Sequence, residues 1–345
     1  MTKPARLKTG AIPLVSIVMP VYNAAPYLAE AIRSILAQTW ADFELIVVDD
    51  ASTDRSPDLI QSFPDPRIRC VRNDQNLGVA ATRNRGVLLA RGEFVAQMDP
   101  DDVAHPRRIA EQVAFLRAHP DVGLCGAKVA KFYEDGTRRV MKMPLDHEEI
   151  RVTLLFHSSF AQPTVMARRR LLVEDGLLYN ETYRNMEDYD LWCRLVDKTR
   201  TANLNQVLLD YRCHNHQLSR EYSQSQSELL GKLHRQTLAK LVPDLSEADL
   251  ALHHHIFLYG DAADVAALGR ASAWLHRLSE ANRCFRIYDD RAMQRVLGLK
   301  WAWLCGQATA KGCSVLWLYL HDPLSGPVRY SVETLKLAIK CFLKR

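Results

Sequence analysis

Four times before residue 120 the chain passes from a short apolar run into an amphipathic stretch, and few folds accept that rhythm. Leu14–Met19 (LVSIVM) lies between Pro13 and Pro20 and is rich in β-branched residues, as a strand buried on both faces would be. From Ala25 to Gln38, Leu28, Ile32, Ile35 and Leu36 recur at helical spacing, with Pro26 early, where its missing N–H costs little. The pattern predicts further strands at Glu44–Val48, Ile68–Val71 and Glu93–Met98, each followed by a helix: Asp54–Phe63, Val79–Arg91 and Pro106–His119. Such alternation specifies right-handed βαβ units and an open, mostly parallel sheet flanked by helices, which binds ligands at the carboxyl ends of its strands.

The polar clusters fall at those ends: Tyr22 and Asn23 after the first strand, Asp49 and Asp50 after the second, Asp99 to Asp102 after the fourth. Asp99, Asp101 and Asp102 put three carboxylates within four residues of a loop. Mn²⁺ or Mg²⁺ takes one or two such oxygens and completes its shell with water and phosphate. The competing reading is a set of helix-capping acids before Pro106. Asp50 is placed to accept from a nucleobase N–H or from ribose hydroxyls, while Ser52 and Asp54 read as caps of the next helix. The helix carrying Arg83, Asn84 and Arg85 is placed to bring a guanidinium to the base or phosphates, with an exposed, solvated arginine as the competing reading of Arg85. No G-x-G-x-x-G follows the first strand, where PVYNAAP stands instead, so a nicotinamide or flavin enzyme is not expected.

The segments VSIVMPVYNAAPYL, ELIVVDDAST, NLGVAATRNRG, GEFVAQMDPDD and NMEDYDLWCRL, in that order, resemble the inverting GT-A enzymes of glycosyltransferase family 2 over residues 13 to 215. The resemblance implies a Rossmann-like catalytic domain that transfers a sugar from a nucleotide-sugar, UDP-linked or dTDP-linked, to a hydroxyl of a glycan or lipid-linked glycan in surface polysaccharide synthesis. It places Pro20, Tyr22, Asn23, Asp50 and Arg83 around the nucleotide. Asp99 and Asp101 match the D-x-D element, Asp101 on the metal and Asp99 toward the ribose, with Asp49 and Asp102 in support. Asp188 aligns with the base, and Glu187 beside it reads equally well as an acid of the first helical turn. His214, in a Y-R-x-H-like element, becomes a further metal or phosphate ligand, and His216 reads as solvent-facing. The Q-x-x-R-W element of processive members is missing, so one or a few sugars are expected per acceptor. A nucleotidyltransferase and a non-catalytic nucleotide-sugar-binding subunit are the rival readings.

Length and composition set the remainder. The 345 residues exceed one ordinary domain, which predicts a flexible tail at 1–12, a catalytic domain at 13–220 and a helical region at 221–345, opened by the polar stretch Ser223–Ser227. Between His119 and that point the expected elements are a strand at Val122–Phe132, a helix at His147–Phe156, a strand at Gln162–Ala167 and a helix at Glu187–Asp197. A net charge of +5 is too slight to predict nucleic-acid binding. Eight cysteines without a C-x-x-C pair read as reduced, buried thiols of a cytoplasmic protein, and no signal peptide or membrane span is expected. His253, His254 and His255 point to different faces of a helix and read as structural. Val332, Leu335, Ile339, Phe342 and Leu343 share one face of a last helix, with Lys336, Lys340 and Lys344 beside it. That pattern leaves two readings open: peripheral contact with anionic lipid, or packing onto the protein with a solvated basic edge.

Overall fold

The computed structural model describes residues 12–214, 224–258, 265–309 and 313–343, so all but the last residue of the tail expected at 1–12, and the readings of His216, Ser223 and Lys344, lie outside the described residues. Two units emerge, residues 1–147 with 158–222, and residues 148–157 with 223–345.

In the first unit, β1 (Val15–Val21), α1 (Ala25–Leu36), β2 (Phe43–Asp49), α2 (Ser56–Gln61), β3 (Ile68–Arg72), α3 (Val79–Leu89) and β4 (Phe94–Gln97) follow the predicted alternation. β1 is buried along its whole length and pairs in parallel with β2 on one side and β4 on the other. The strand order β3-β2-β1-β4 therefore reverses direction at β1, which makes the gap between β1 and β4 the topological switch point. α1 buries Leu28, Ala31, Ile32 and Ile35 against the sheet. α3 approaches closely through Gly86, where a Cβ would stand 2.4 Å from Val18 Cγ1.

Beyond β4 come β5 (Val103–Ala104), α4 (Arg108–Ala118), β6 (Val122–Tyr133), β7 (Arg138–Val140), α5 (His147–Thr153), a 3-10 turn at Gln162–Thr164, β8 (Met166–Arg168), α6 (Arg169–Val173), α7 (Glu187–Leu195) and β9 (Arg200–Cys213). The sheet stays parallel only through its first half. β8 runs antiparallel to β4 and β6, β9 parallel to β6, and β5 antiparallel to β9, so the whole is a mixed sheet. Its full order is β3-β2-β1-β4-β8-β6-β9-β5, with β7 on β6.

The second unit is helical: α8 (Gln224–Leu238), α9 (Glu247–Leu258), α10 (Val265–Phe285), α11 (Asp290–Gln307), α12 (Cys313–His321), a 3-10 stretch at Pro323–Val328 and α13 (Val332–Leu343). One sequence expectation changes here. α8 starts at Gln224, within the polar stretch expected to open this region, and Gln226, Leu230, Leu233 and His234 recur at helical spacing and are buried. The helical segment expected at His147–Phe156 belongs to this unit from Glu148 onward, and its Val152, Leu155 and Phe156 join the apolar core with Trp274, Trp301 and Tyr319.

None of the seven described cysteines with a placed side chain forms a disulfide, but Cys70 and Cys284 are exposed, against the expectation of burial. Among the described residues no helix is long and apolar enough to cross a membrane.

Candidate active site

The turns at the carboxyl ends of β1 and β2 lock together. Asn23, at φ 49°, accepts from the Thr53 and Asp54 amides at 2.8 and 3.3 Å, and Ser52 Oγ accepts from the Asn23 amide at 3.0 Å. Asp54 accepts from the Ala25 amide and Ser56 Oγ from the Ala24 amide, so this loop caps α1. The expectation that Ser52 caps α2 therefore fails, although Asp54 also accepts from the Ser56 amide at 2.9 Å. Pro20 is buried inside β1 opposite Val48, and Tyr22, half exposed, is the side chain of that turn open to a ligand.

Asp49 and Asp50 end β2 in different employments. Asp49 accepts from the Ser52 amide and pairs with Arg72 at 2.9 Å. Asp50 accepts three hydrogen bonds, from Asn73 Nδ2 at 2.6 Å and from the Leu77 and Gly78 amides at 2.9 Å each, and so shapes the loop that enters α3. A carboxylate offers about four acceptor positions, so a base or ribose contact by Asp50 has about one left. Gly78 needs its left-handed φ of 88° in this loop. Arg85 is not a solvated arginine: it donates to the Arg72 carbonyl at 2.9 Å and to Asn73.

Across the switch point, the loop after β4 carries Asp99, Asp101 and Asp102. Arg83, buried on α3, donates from Nη2 to Asp99 at 2.7 Å and from Nη1 to Glu187 at 3.2 Å. It thus grips an acid of each of two motifs. Burial opposes its charge, but Asp99 and Glu187 outweigh this and hold its pKa above the ordinary arginine value. Glu187 is therefore more than a first-turn acid of α7. Next to it, Asp188 reaches the surface only in part and its carboxyl is surrounded by protein atoms. Burial, then repulsion from Glu187, push its pKa up to about 7 against the pull of Arg83.

On the other flank, Asp101 Oδ2 meets His214 Nε2 at 3.0 Å, and the His214 ring lies 4.6 Å from that of Tyr27. Asp102 is buried and accepts from the Arg212 amide at 2.9 Å, while Arg212 Nε donates to the Asp101 carbonyl at 2.9 Å. Burial and the neighbouring acids raise the pKa of both Asp101 and Asp102. Among the described residues no three His, Cys, Asp or Glu side chains form a metal cage by themselves. Asp101 and His214 nevertheless offer two ligands, and the buried Asp102 Oδ2 beside them accepts no hydrogen bond. That donor set fits an ion such as Mn²⁺ or Mg²⁺ whose remaining positions are filled by water and phosphate oxygens.

The Glycosyl transferase family 2 sequence model matches residues 16–177. An uncharacterized glycosyltransferase of Haemophilus influenzae is 31% identical over 237 residues, which span 66% of this chain and 73% of that protein. The chain belongs to glycosyltransferase family 2. The succinoglycan biosynthesis protein ExoO of Rhizobium meliloti is 34% identical to this glycosyltransferase over 191 residues, 52% of this chain and 55% of ExoO. Among solved structures, S. aureus TarS 1–349 in complex with UDP-GlcNAc superposes with a TM-score of 0.58 at 17% identity, over 86% of this chain and 89% of TarS, which supports the fold.

Several residues that build the candidate site are given no role of their own by the sequence, although Asn84 and Arg212 stand inside quoted motifs. Asn84, next to Arg83, accepts from the Tyr179 amide and donates to its carbonyl, both at 2.9 Å, fixing the segment that leads toward α7. Asn73 and Arg212 anchor Asp50 and the acidic loop in the same way. The one available hint is that Thr82, Arg83 and Asn84 interrupt the apolar spacing of α3 and yet are all buried. Asn23, Ala51 and Asn185, at φ 49°, 59° and 60°, stand at the exits of β1 and β2 and just before α7, which is where strained backbone is expected at a working site.

Proposed function

We propose that this glycosyltransferase moves a sugar from a nucleotide-sugar, UDP-linked first and dTDP-linked second, to a hydroxyl of a glycan or lipid-linked glycan, with inversion and without processivity. Asp188 carries the reading: a carboxyl with a pKa of about 7, beside the acids of the nucleotide motif, suits a general base at neutral pH. The acceptor oxygen attacks the anomeric carbon as its proton passes to Asp188, and the bond to the nucleoside diphosphate breaks with its electron pair leaving on the diphosphate. Arg83 holds Asp99 and Glu187 in register, which keeps Asp188 on the acceptor side of the bond being broken. Asp101 and His214, with Asp102 in support, would hold Mn²⁺ or Mg²⁺, which when bound supplies positive charge for the departing diphosphate. Tyr22 and Asn23 line the nucleotide side, and Asp49 and Asp50 hold the loops around it. The relation to a succinoglycan biosynthesis protein supports polysaccharide as the acceptor class.

Thermal unfolding against a panel of nucleotide-sugars, with and without Mn²⁺, tests this. A ligand at 100 times its Kd stabilises by about 2.7 kcal/mol, well within reach of the measurement. At least one UDP- or dTDP-sugar is expected to raise the unfolding temperature in a metal-dependent way, and Asp101→Ala to abolish that rise. No metal-dependent rise with any of them overturns the reading.

A further inference from the structure

α13 is amphipathic the wrong way round for a helix that only completes a bundle. Leu337 and Cys341 are buried, and Thr334 Oγ1 lies 2.7 Å from the Tyr319 hydroxyl and donates to the Val328 carbonyl at 2.8 Å, so this side is packed within the helical unit. The opposite side carries Val332, Leu335 and Ile339 at 59%, 61% and 48% exposure. Spaced three and four apart, they form one line along the helix. Ordinary surface helices turn polar residues to solvent. Scattered exposed apolar side chains are common, but three in a row on one face make a patch, and Tyr330, 98% exposed, stands two residues before it. Lys336 and Lys340, one turn apart and both exposed, run along the edge of the stripe, and the helix's one carboxylate, Glu333, lies off the stripe on the lysine side, so that this edge carries a net single positive charge.

We propose that this outward face of α13 rests in the headgroup region of an anionic lipid bilayer, the Val332–Leu335–Ile339 stripe entering the acyl boundary and the two lysines meeting lipid phosphates. The charge pattern selects this occupant. A lipid surface engages the stripe and the lysines together, whereas a second copy of the chain meeting stripe to stripe uses only the apolar part. The sequence leaves packing and lipid contact open, and the described side chains of the stripe face outward. With 12 residues, α13 lies in the plane of the bilayer and does not cross it. The inference does not depend on the sugar-transfer reading.

Co-sedimentation of the full chain with vesicles of phosphatidylcholine alone, and of phosphatidylcholine with phosphatidylglycerol, tests it. The chain is expected to pellet with the anionic vesicles only. Leu335→Glu with Ile339→Glu should lower the partition coefficient about tenfold or more, and Lys336→Gln with Lys340→Gln should weaken binding and flatten its dependence on salt. All four side chains are exposed, so both variants should keep the wild-type unfolding temperature. The proposal is overturned if the chain stays in the supernatant with both vesicle types, if it pellets equally with both, or if the stripe variant binds as tightly as the wild type. A lipid-free dimer in sedimentation velocity that the stripe variant dissolves would equally overturn it and assign the face to self-association.

Discussion

Asp188 and Glu187 are adjacent carboxylic acids in different surroundings. Glu187 has Arg83 at 3.2 Å, whereas Asp188, among the described residues, accepts from the amide of Tyr189 at 2.7 Å and carries the repulsion of its neighbour. Since its pKa is raised to about 7, the proposed base is protonated below that value and competent above it. The transfer rate should thus rise about tenfold per pH unit up to roughly pH 7 and level off beyond. Asp188→Asn should cost about 10²–10⁴ in kcat while nucleotide-sugar affinity, read by calorimetry, stays within error. Equal loss of binding would remove Asp188 from the role of base.

At the level of elements, one guanidinium joins α3, the loop after β4 and the first turn of α7. Removing a partner from a buried ion cluster leaves charge without compensation, so Arg83→Met should destabilise by about 3–5 kcal/mol in urea unfolding. Arg83→Lys, which keeps the charge and loses the fork, should fall between. The sequence makes some elements plain and hides others. Strands β1, β2 and β4 are legible because each is a buried apolar run, β3 only from its place in the alternation, since none of its residues is buried, and the acids Asp99, Asp101, Asp102, Glu187 and Asp188 are legible from their motifs. β9 is not: residues 200–213 pair with β6 through register irregularities that break the two-residue alternation. The grip of Arg83 on Glu187 is equally hidden, since it spans 104 residues and no local spacing encodes it. The half-antiparallel sheet escapes for a related reason, β8 being only three residues long.

At the scale of the molecule, each unit has its own apolar core, and the helical one contains buried histidines. His253 Nε2 bonds the Leu155 carbonyl at 2.8 Å and its Nδ1 accepts from Trp274 at 3.0 Å, an arrangement that only the neutral ring satisfies. Burial lowers its pKa to about 4, and burial with the nearby His253 and His254 lowers that of His234 well below the usual histidine value. The unfolded chain takes up these protons below about pH 6.5, whereas folded His253 resists until about 4. This contribution is therefore complete above pH 6.5 and lost as pH falls, at roughly 1.4 kcal/mol per pH unit for each histidine. Melting followed by helical circular dichroism should shift clearly downward between neutral pH and about pH 5; an unchanged midpoint would show that these rings do not govern acid stability.

The strand β9 has a consequence in time as well as in space. Asp101 and His214 meet across 113 residues, and that meeting awaits the docking of β9 along β6 and β5. Contacts of such long sequence separation are slow to form because the loop must close before they stabilise anything. A chain newly emerged from the ribosome can thus complete the β1–β4 half early and still lack this pair, and if the pair holds the metal as proposed, metal binding has to wait for β9.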